Sequence, residues 1–231
     1  MAIDSPSKKK EGGSIHLFVF TASFILGAAS FRLYEELAGL PAKTEKNRRL
    51  QRAAVGASFG AATYPLFLMH GISFSFFINF ALAACLLICS LVDLKRFLIP
   101  NAAVIPCFCI IFTLKAFSSF MLASFEPLAF ALIGATAGLA MLLPFAALGA
   151  MGMGDVKLMA LVGLALGPLD ALFCLFLSTV FGTAACLVLL GLKMKTLRSR
   201  IQFGPFISAG ALCVMLFGEK LHLLIDAVYS V

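Results

Sequence analysis

The chain has 231 residues, of which 61% are hydrophobic and 13% charged, and it carries a formal net charge of +7. Soluble domains carry about 25% charged residues, so this chain lacks the charge to cover a water-facing surface. A soluble globular protein, a disordered chain and a disulfide-stapled secreted module are excluded. A mean hydropathy of +1.04 and long apolar runs without period-2 alternation point to an all-α, polytopic helical membrane protein, not an outer-membrane barrel. Basic residues of a membrane protein gather in its cytoplasmic loops, so the positive charge is read as topology and no nucleic-acid partner is expected.

In chain order, residues 1–14 read as a loose polar tail carrying Lys8, Lys9 and Lys10. Residues 15–72 read as two membrane helices, apolar over about 15–31 and 53–69, joined by a short basic loop at 32–52. Six more apolar runs follow at about 72–92, 98–117, 127–148, 156–167, 169–191 and 204–224, so that 73–225 forms one membrane domain ahead of a tail at 226–231. The total is eight membrane segments, one of them (156–167) short for a span of roughly 20 residues. Counting it as a pass puts the loops 32–52, 93–97, 149–155 and 192–203 on one side. With Lys157 that side then holds every Lys and Arg except Lys8, Lys9, Lys10, Lys115 and Lys220. This side is the cytoplasm by the charge rule. Lys8–Lys10 followed by an apolar stretch and Gly27-Ala28-Ala29-Ser30 imitates a secretory signal, but cleavage there would leave the basic 32–52 loop outside.

The seven cysteines (85, 89, 107, 109, 174, 186, 213) lie in apolar runs and form no CxxC pair. They read as packing residues, and no metal site or cofactor is expected. His16, His70 and His222 are scattered and receive no role. Among the acids, Glu126, Asp170 and Glu219 fall at helix ends on the far side, with Asp226 in the tail, and all four read as solvated interface residues.

Two acids differ. Asp93 ends an apolar run in Leu91-Val92-Asp93-Leu94-Lys95-Arg96, and Asp155 sits in Gly152-Met153-Gly154-Asp155-Val156-Lys157. Parity puts both at the cytoplasmic boundary. Two facing carboxylates can share one proton, since neighbouring like charges cannot both ionise cheaply. The ionised member deprotonates a water while the protonated one donates to a carbonyl oxygen. Asp93 ends a helix, where the dipole disfavours its charge, and Asp155 precedes one, where it would cap free N–H groups. That assigns Asp155 the base and Asp93 the proton donor. Gly152 and Gly154 are expected to supply positive φ and room for a substrate strand.

At these residues the chain resembles a known family. Gly152-Met153-Gly154-Asp155-Val156-Lys157 resembles the GxGDxK signature of type IV prepilin peptidases, and Asp93 through Pro100-Asn101 is similar to the family's first aspartate, basic loop and following helix start. Phe203-Gly204-Pro205-Phe206 resembles the opening of its last helix. The resemblance covers roughly residues 73–218. It implies a GxGD-type aspartyl protease of the bacterial inner membrane that cuts the leader from prepilins or pseudopilins at the cytoplasmic face. Asp93 and Asp155 would be catalytic, with Gly152, Gly154 and Lys157 in support; Lys157 would hold the charge balance. No substrate-binding residue is assigned. The 32–52 loop lacks the cysteines with which longer members bind zinc, which leaves their N-methyltransferase activity unsupported here. Glu35 and Glu36 are the acids placed to meet a basic leader. The alternative function is a small proton- or cation-coupled transporter using Asp93 and Asp155.

Overall fold

The computed structural model describes Thr21, Ser23, Gly27, Glu35 and residues 45–71, 73–192 and 202–229. The expected segment at 15–31, most of the 32–52 stretch and residues 193–201 are outside the described residues, apart from those four positions and 45–52. The described elements are all helical: α1 (Glu45–His70), α2 (Phe74–Arg96), α3 (Asn101–Met121), α4 (Glu126–Ala147), α5 (Met153–Leu166), α6 (Pro168–Gly191) and α7 (Gly204–Tyr229). Four of them, α2, α3, α4 and α6, are long and apolar enough to cross a membrane.

Two boundaries differ from the sequence reading. α1 begins at Glu45, inside the stretch read as loop; Glu, Lys, Arg and Gln are good helix formers, so the polar residues ahead of Ala53 extend the helix. α7 runs to Tyr229, past the expected start of the tail at 226.

Burial divides the helices into two kinds. α5 is buried almost throughout, with Val156 and the six residues Leu158 to Gly163 all buried, and α2 buries Leu82, Leu86, Cys89 and Val92. The other long helices turn Ile105, Ile110, Ile133, Phe176 and Leu187 outward, as lipid-facing helices do. A helix that is apolar all round belongs either in a core or against lipid, and both occur here. Cys85, Cys89, Cys107 and Cys174 are buried as free thiols. They pack as small apolar groups, and Cys174 Sγ also reaches the Ile207 carbonyl of α7.

Small residues let the helices come together. A Cβ on Gly134 would strike the Gly163 carbonyl, and one on Gly138 would strike the Met159 carbonyl. The Gly134-x-x-x-Gly138 spacing thus seats α4 directly on the backbone of α5, the close approach that small residues permit between membrane helices. On the other side, Gly210 of α7 rests against Ser178 and Cys174 of α6. Gly167, at φ 101, turns the chain from α5 into α6 with no intervening loop.

Because successive helices reverse direction, the 97–100 and 148–152 connections and the start of α7 gather at one end. The 71–73, 122–125 and 167 turns gather at the other. Replacing Gly134 with Leu forces backbone apart from backbone and should cost about 3 kcal/mol or more. Thermal unfolding of the detergent-solubilised variant would show it as a large drop in midpoint.

Candidate active site

Asp93 and Asp155, 62 positions apart in the chain, line one cleft of about 340 Å³ at the gathered end. Its walls include Phe97, Ile99, Asn101 and Lys157, along with Gly152 and Gly154. The proximity expected from parity is therefore present in the fold.

Asp93 stands in the last turn of α2 and is 6% exposed. Its carboxylate Oδ2 accepts the Gly204 backbone N–H at 3.1 Å. Gly204 opens α7, and the first N–H groups of a helix have no partner within it, so this donor is free to turn outward. A Cβ at position 204 would lie 2.7 Å from Oδ2; only glycine lets the carboxylate come this near. The Asp93 carbonyl is engaged as well, accepting the Phe97 N–H at 2.9 Å. Phe97 closes α2 in the left-handed region at φ 55, a conformation that costs a residue with a side chain about 1–2 kcal/mol. The strained cap turns the chain sharply so that Ile99, Pro100 and Asn101 begin α3 beside the cleft.

Asp155 does not cap its helix from outside. The N-cap of α5 is Gly152, and Asp155 is three residues further on, in the first turn. From there its carboxylate reaches back to the Gly152 backbone, one half of a capping box. Asp155 lies ahead of the apolar run 156–167. Burial, then the negative charge of Asp93, pushes its carboxyl up to about 6, and the backbone hydrogen bond from Gly152 works against them. Burial raises the Asp93 carboxyl as well, and the Gly204 N–H holds that rise back. At Asp155 desolvation and the acidic neighbour outweigh the helix start, while Asp93 has gained a helix N–H that the sequence reading did not assign to it.

The two glycines also work differently from expectation. Gly152 has φ −75, and neither it nor Gly154 is among the residues with positive φ. Gly154 is needed for proximity instead: a Cβ there would sit 2.9 Å from the Cβ of Ile99, so its absence lets α5 close on the start of α3. Lys157 Nζ donates to Asn101 Oδ1 at 3.1 Å. The lysine is thus bound to the rim by a neutral partner and ties α5 to α3. Glu35, one of the acids considered for meeting a leader, pairs with Arg52 at 3.2 Å; Glu36 is outside the described residues.

Sequence reasoning missed two participants, the Gly204 N–H and the Asn101 amide. Both were in view as parts of the Phe203-Gly204-Pro205-Phe206 and Pro100-Asn101 segments. A backbone donor leaves no signature of its own, though, and the Asn–Lys pairing spans 56 positions.

The model of the type IV leader peptidase family matches residues 80–187, a segment that holds Asp93, Gly152, Gly154, Asp155 and Lys157. Over 156 residues the chain is 32% identical to the prepilin leader peptidase/N-methyltransferase of Bacillus subtilis (strain 168), an alignment covering 65% of this chain. The chain spans about 60% of that relative's length. No solved structure matches the chain.

A carboxyl whose pKa is raised by folding favours the folded state at low pH, and that contribution is lost as pH climbs from the unfolded value of about 3.9 through about 6. Asp155→Asn removes the penalty on the ionised form. Relative to the parent, the variant should therefore gain melting temperature between pH 4 and pH 8. Parallel melting curves across that range test the sign.

Proposed function

We propose, on the premise that residues 80–187 belong to the type IV leader peptidase family, that the protein is a membrane aspartyl endopeptidase removing the leader peptide of prepilins or pseudopilins. The observation that carries the reading is that two acids from distant parts of the chain, Asp93 and Asp155, line a single cleft at the end of a bundle of apolar helices. A transporter using the same acids has no comparable support, because the cleft lies at the bundle's end and not midway along it.

In this reading the cleft faces the cytoplasm at the inner membrane. The surrounding charge supports that orientation: Lys95, Arg96 and Lys157 stand at the cleft end, and basic residues favour the cytoplasmic side. A leader emerging from the bilayer would bring its peptide bond to the acids at the depth where its apolar helix begins.

The chemistry follows from the two environments. Asp93, held by the Gly204 N–H, is the ionised member. Asp155, raised to about 6, keeps the shared proton. A water between them gives a proton to Asp93 as its oxygen bonds to the peptide carbonyl carbon, and Asp155 protonates the carbonyl oxygen. The tetrahedral intermediate collapses with cleavage of the C–N bond. The proton held by Asp93 passes to the leaving amine, and Asp155 recovers its own from the hydroxyl. Lys157, fixed by Asn101, keeps positive charge near the pair without neutralising either acid directly.

Cleavage of a synthetic prepilin by the solubilised protein tests the proposal. Asp93→Asn and Asp155→Asn should each lower kcat by at least about 100-fold, and an unchanged rate in either would remove the acid pair as the mechanism. For the parent, kcat/KM should fall as pH rises above about 6 and Asp155 loses its proton, and fall again in acid once Asp93 is protonated; the two limbs belong to the pair. Gly204→Ala should displace Asp93 and cost about 10- to 100-fold in kcat with little change in KM.

A further inference from the structure

At the opposite end of the bundle lies a second cavity, of about 250 Å³, with apolar walls and a polar lining of His70, Ser75, Asn79, Lys115, Asp170 and His222. These six come from five helices, α1, α2, α3, α6 and α7, so the fold and not local sequence brings them together. Polar and charged groups within a membrane bundle are costly and collect where they serve a function. Nothing in the peptidase chemistry uses them.

The cavity is rich in donors. Asp170, read from sequence as a solvated interface residue, holds His222 at 2.9 Å between Oδ1 and Nε2. That contact engages the only carboxylate among the described lining residues and fixes the imidazole, whose other face meets the Phe173 ring edge-on. Asn79 is 8% exposed and lines the cavity, and its side chain makes no hydrogen bond with another described residue. Lys115 is half-buried, and its ammonium has no ion-pair or hydrogen-bond partner among the described residues. Ammonium and carboxamide together offer up to five N–H donors, with His70 and Ser75 adding more, against a single carboxylate among the described lining residues that is already in use. Such a set calls for an anion with several acceptor oxygens.

We propose that this cavity binds a phosphate group, carried by a phospholipid headgroup or free in solution, through Lys115 and Asn79, with the Asp170 carboxylate already engaged by His222. Phosphate offers acceptors in several directions at once and forms strong charge-assisted hydrogen bonds with such donors. The inference does not depend on the peptidase reading, because none of these residues belongs to the Asp93–Asp155 cleft.

The test uses the full chain, purified in detergent and stripped of lipid. Phosphatidylglycerol, diacylglycerol and inorganic phosphate are added separately, and bound ligand is counted by native mass spectrometry for the lipids and by phosphorus NMR titration for the free anion. Phosphatidylglycerol but not diacylglycerol should bind, roughly tenfold or more weakly in Lys115→Met and in Asn79→Leu. The second variant keeps the test valid if the first fails to fold, and melting curves show which variants are folded. Retention of inorganic phosphate with the same loss in the variants identifies the free anion as sufficient; retention of the lipid alone identifies the headgroup. Asp93→Asn should bind as the parent does, which separates this result from the fate of the peptidase reading. Equal binding by the parent and both folded variants, or no binding of either phosphate compound, overturns the proposal.

Discussion

The Gly204 N–H donating to the Asp93 carboxylate is the contact on which the arrangement of the cleft depends. A carboxylate that is 6% exposed at the end of an apolar helix has lost most of its water. Its charge is sustainable only if another dipole replaces that water. The open start of α7 supplies one, and the lack of a side chain at 204 lets it come close. The requirement runs in both directions: α2 needs α7 at this point, and the first turn of α7 finds an acceptor that its own helix cannot offer. Ser208, one turn further along, bonds to the Leu86 carbonyl of α2 and keeps the two helices in the same register.

The second acid reaches the same level by a different route. α5 carries no polar residue that would pair it with its neighbours below Lys157, so its height is set by shape. The contacts of α4's Gly134 and Gly138 with the α5 backbone, and of Gly154 with Ile99, seat it among its neighbours, and Asp155 arrives beside Asp93 as a result. Two unlike devices therefore define one cleft, a directional hydrogen bond for Asp93 and steric fit for Asp155. The far end of the bundle is built differently again, from side chains of opposite and neutral character around Asp170 and His222.

Much of this was legible in the chain itself. Apolar runs located α2 to α7 to within a few residues, and charge parity brought positions 93 and 155 to one boundary before any geometry was known. The pattern failed where structure is made between helices and not along one. Asp170 and His222 are 52 positions apart, so neither i, i+4 spacing nor local composition connects them, and each alone resembles an ordinary helix-end residue. The surroundings of the acid pair were only half legible for a related reason. Helix ends were weighed from each acid's own helix, whereas the N-terminus that matters to Asp93 belongs to α7. Glycine presented the same difficulty: positions 152 and 154 suggested backbone freedom, and the fold uses 154 for proximity.

The shortness of α5 has a physical consequence for the water near its start. Its 14 residues rise only about 21 Å, well short of the about 30 Å of a hydrocarbon layer. Covered by its neighbours and not by lipid, the helix can leave its polar start beneath the headgroups. That depth draws the aqueous phase inward at the cleft end of the bundle. Hydration would then be deepest where the reaction consumes a solvent molecule.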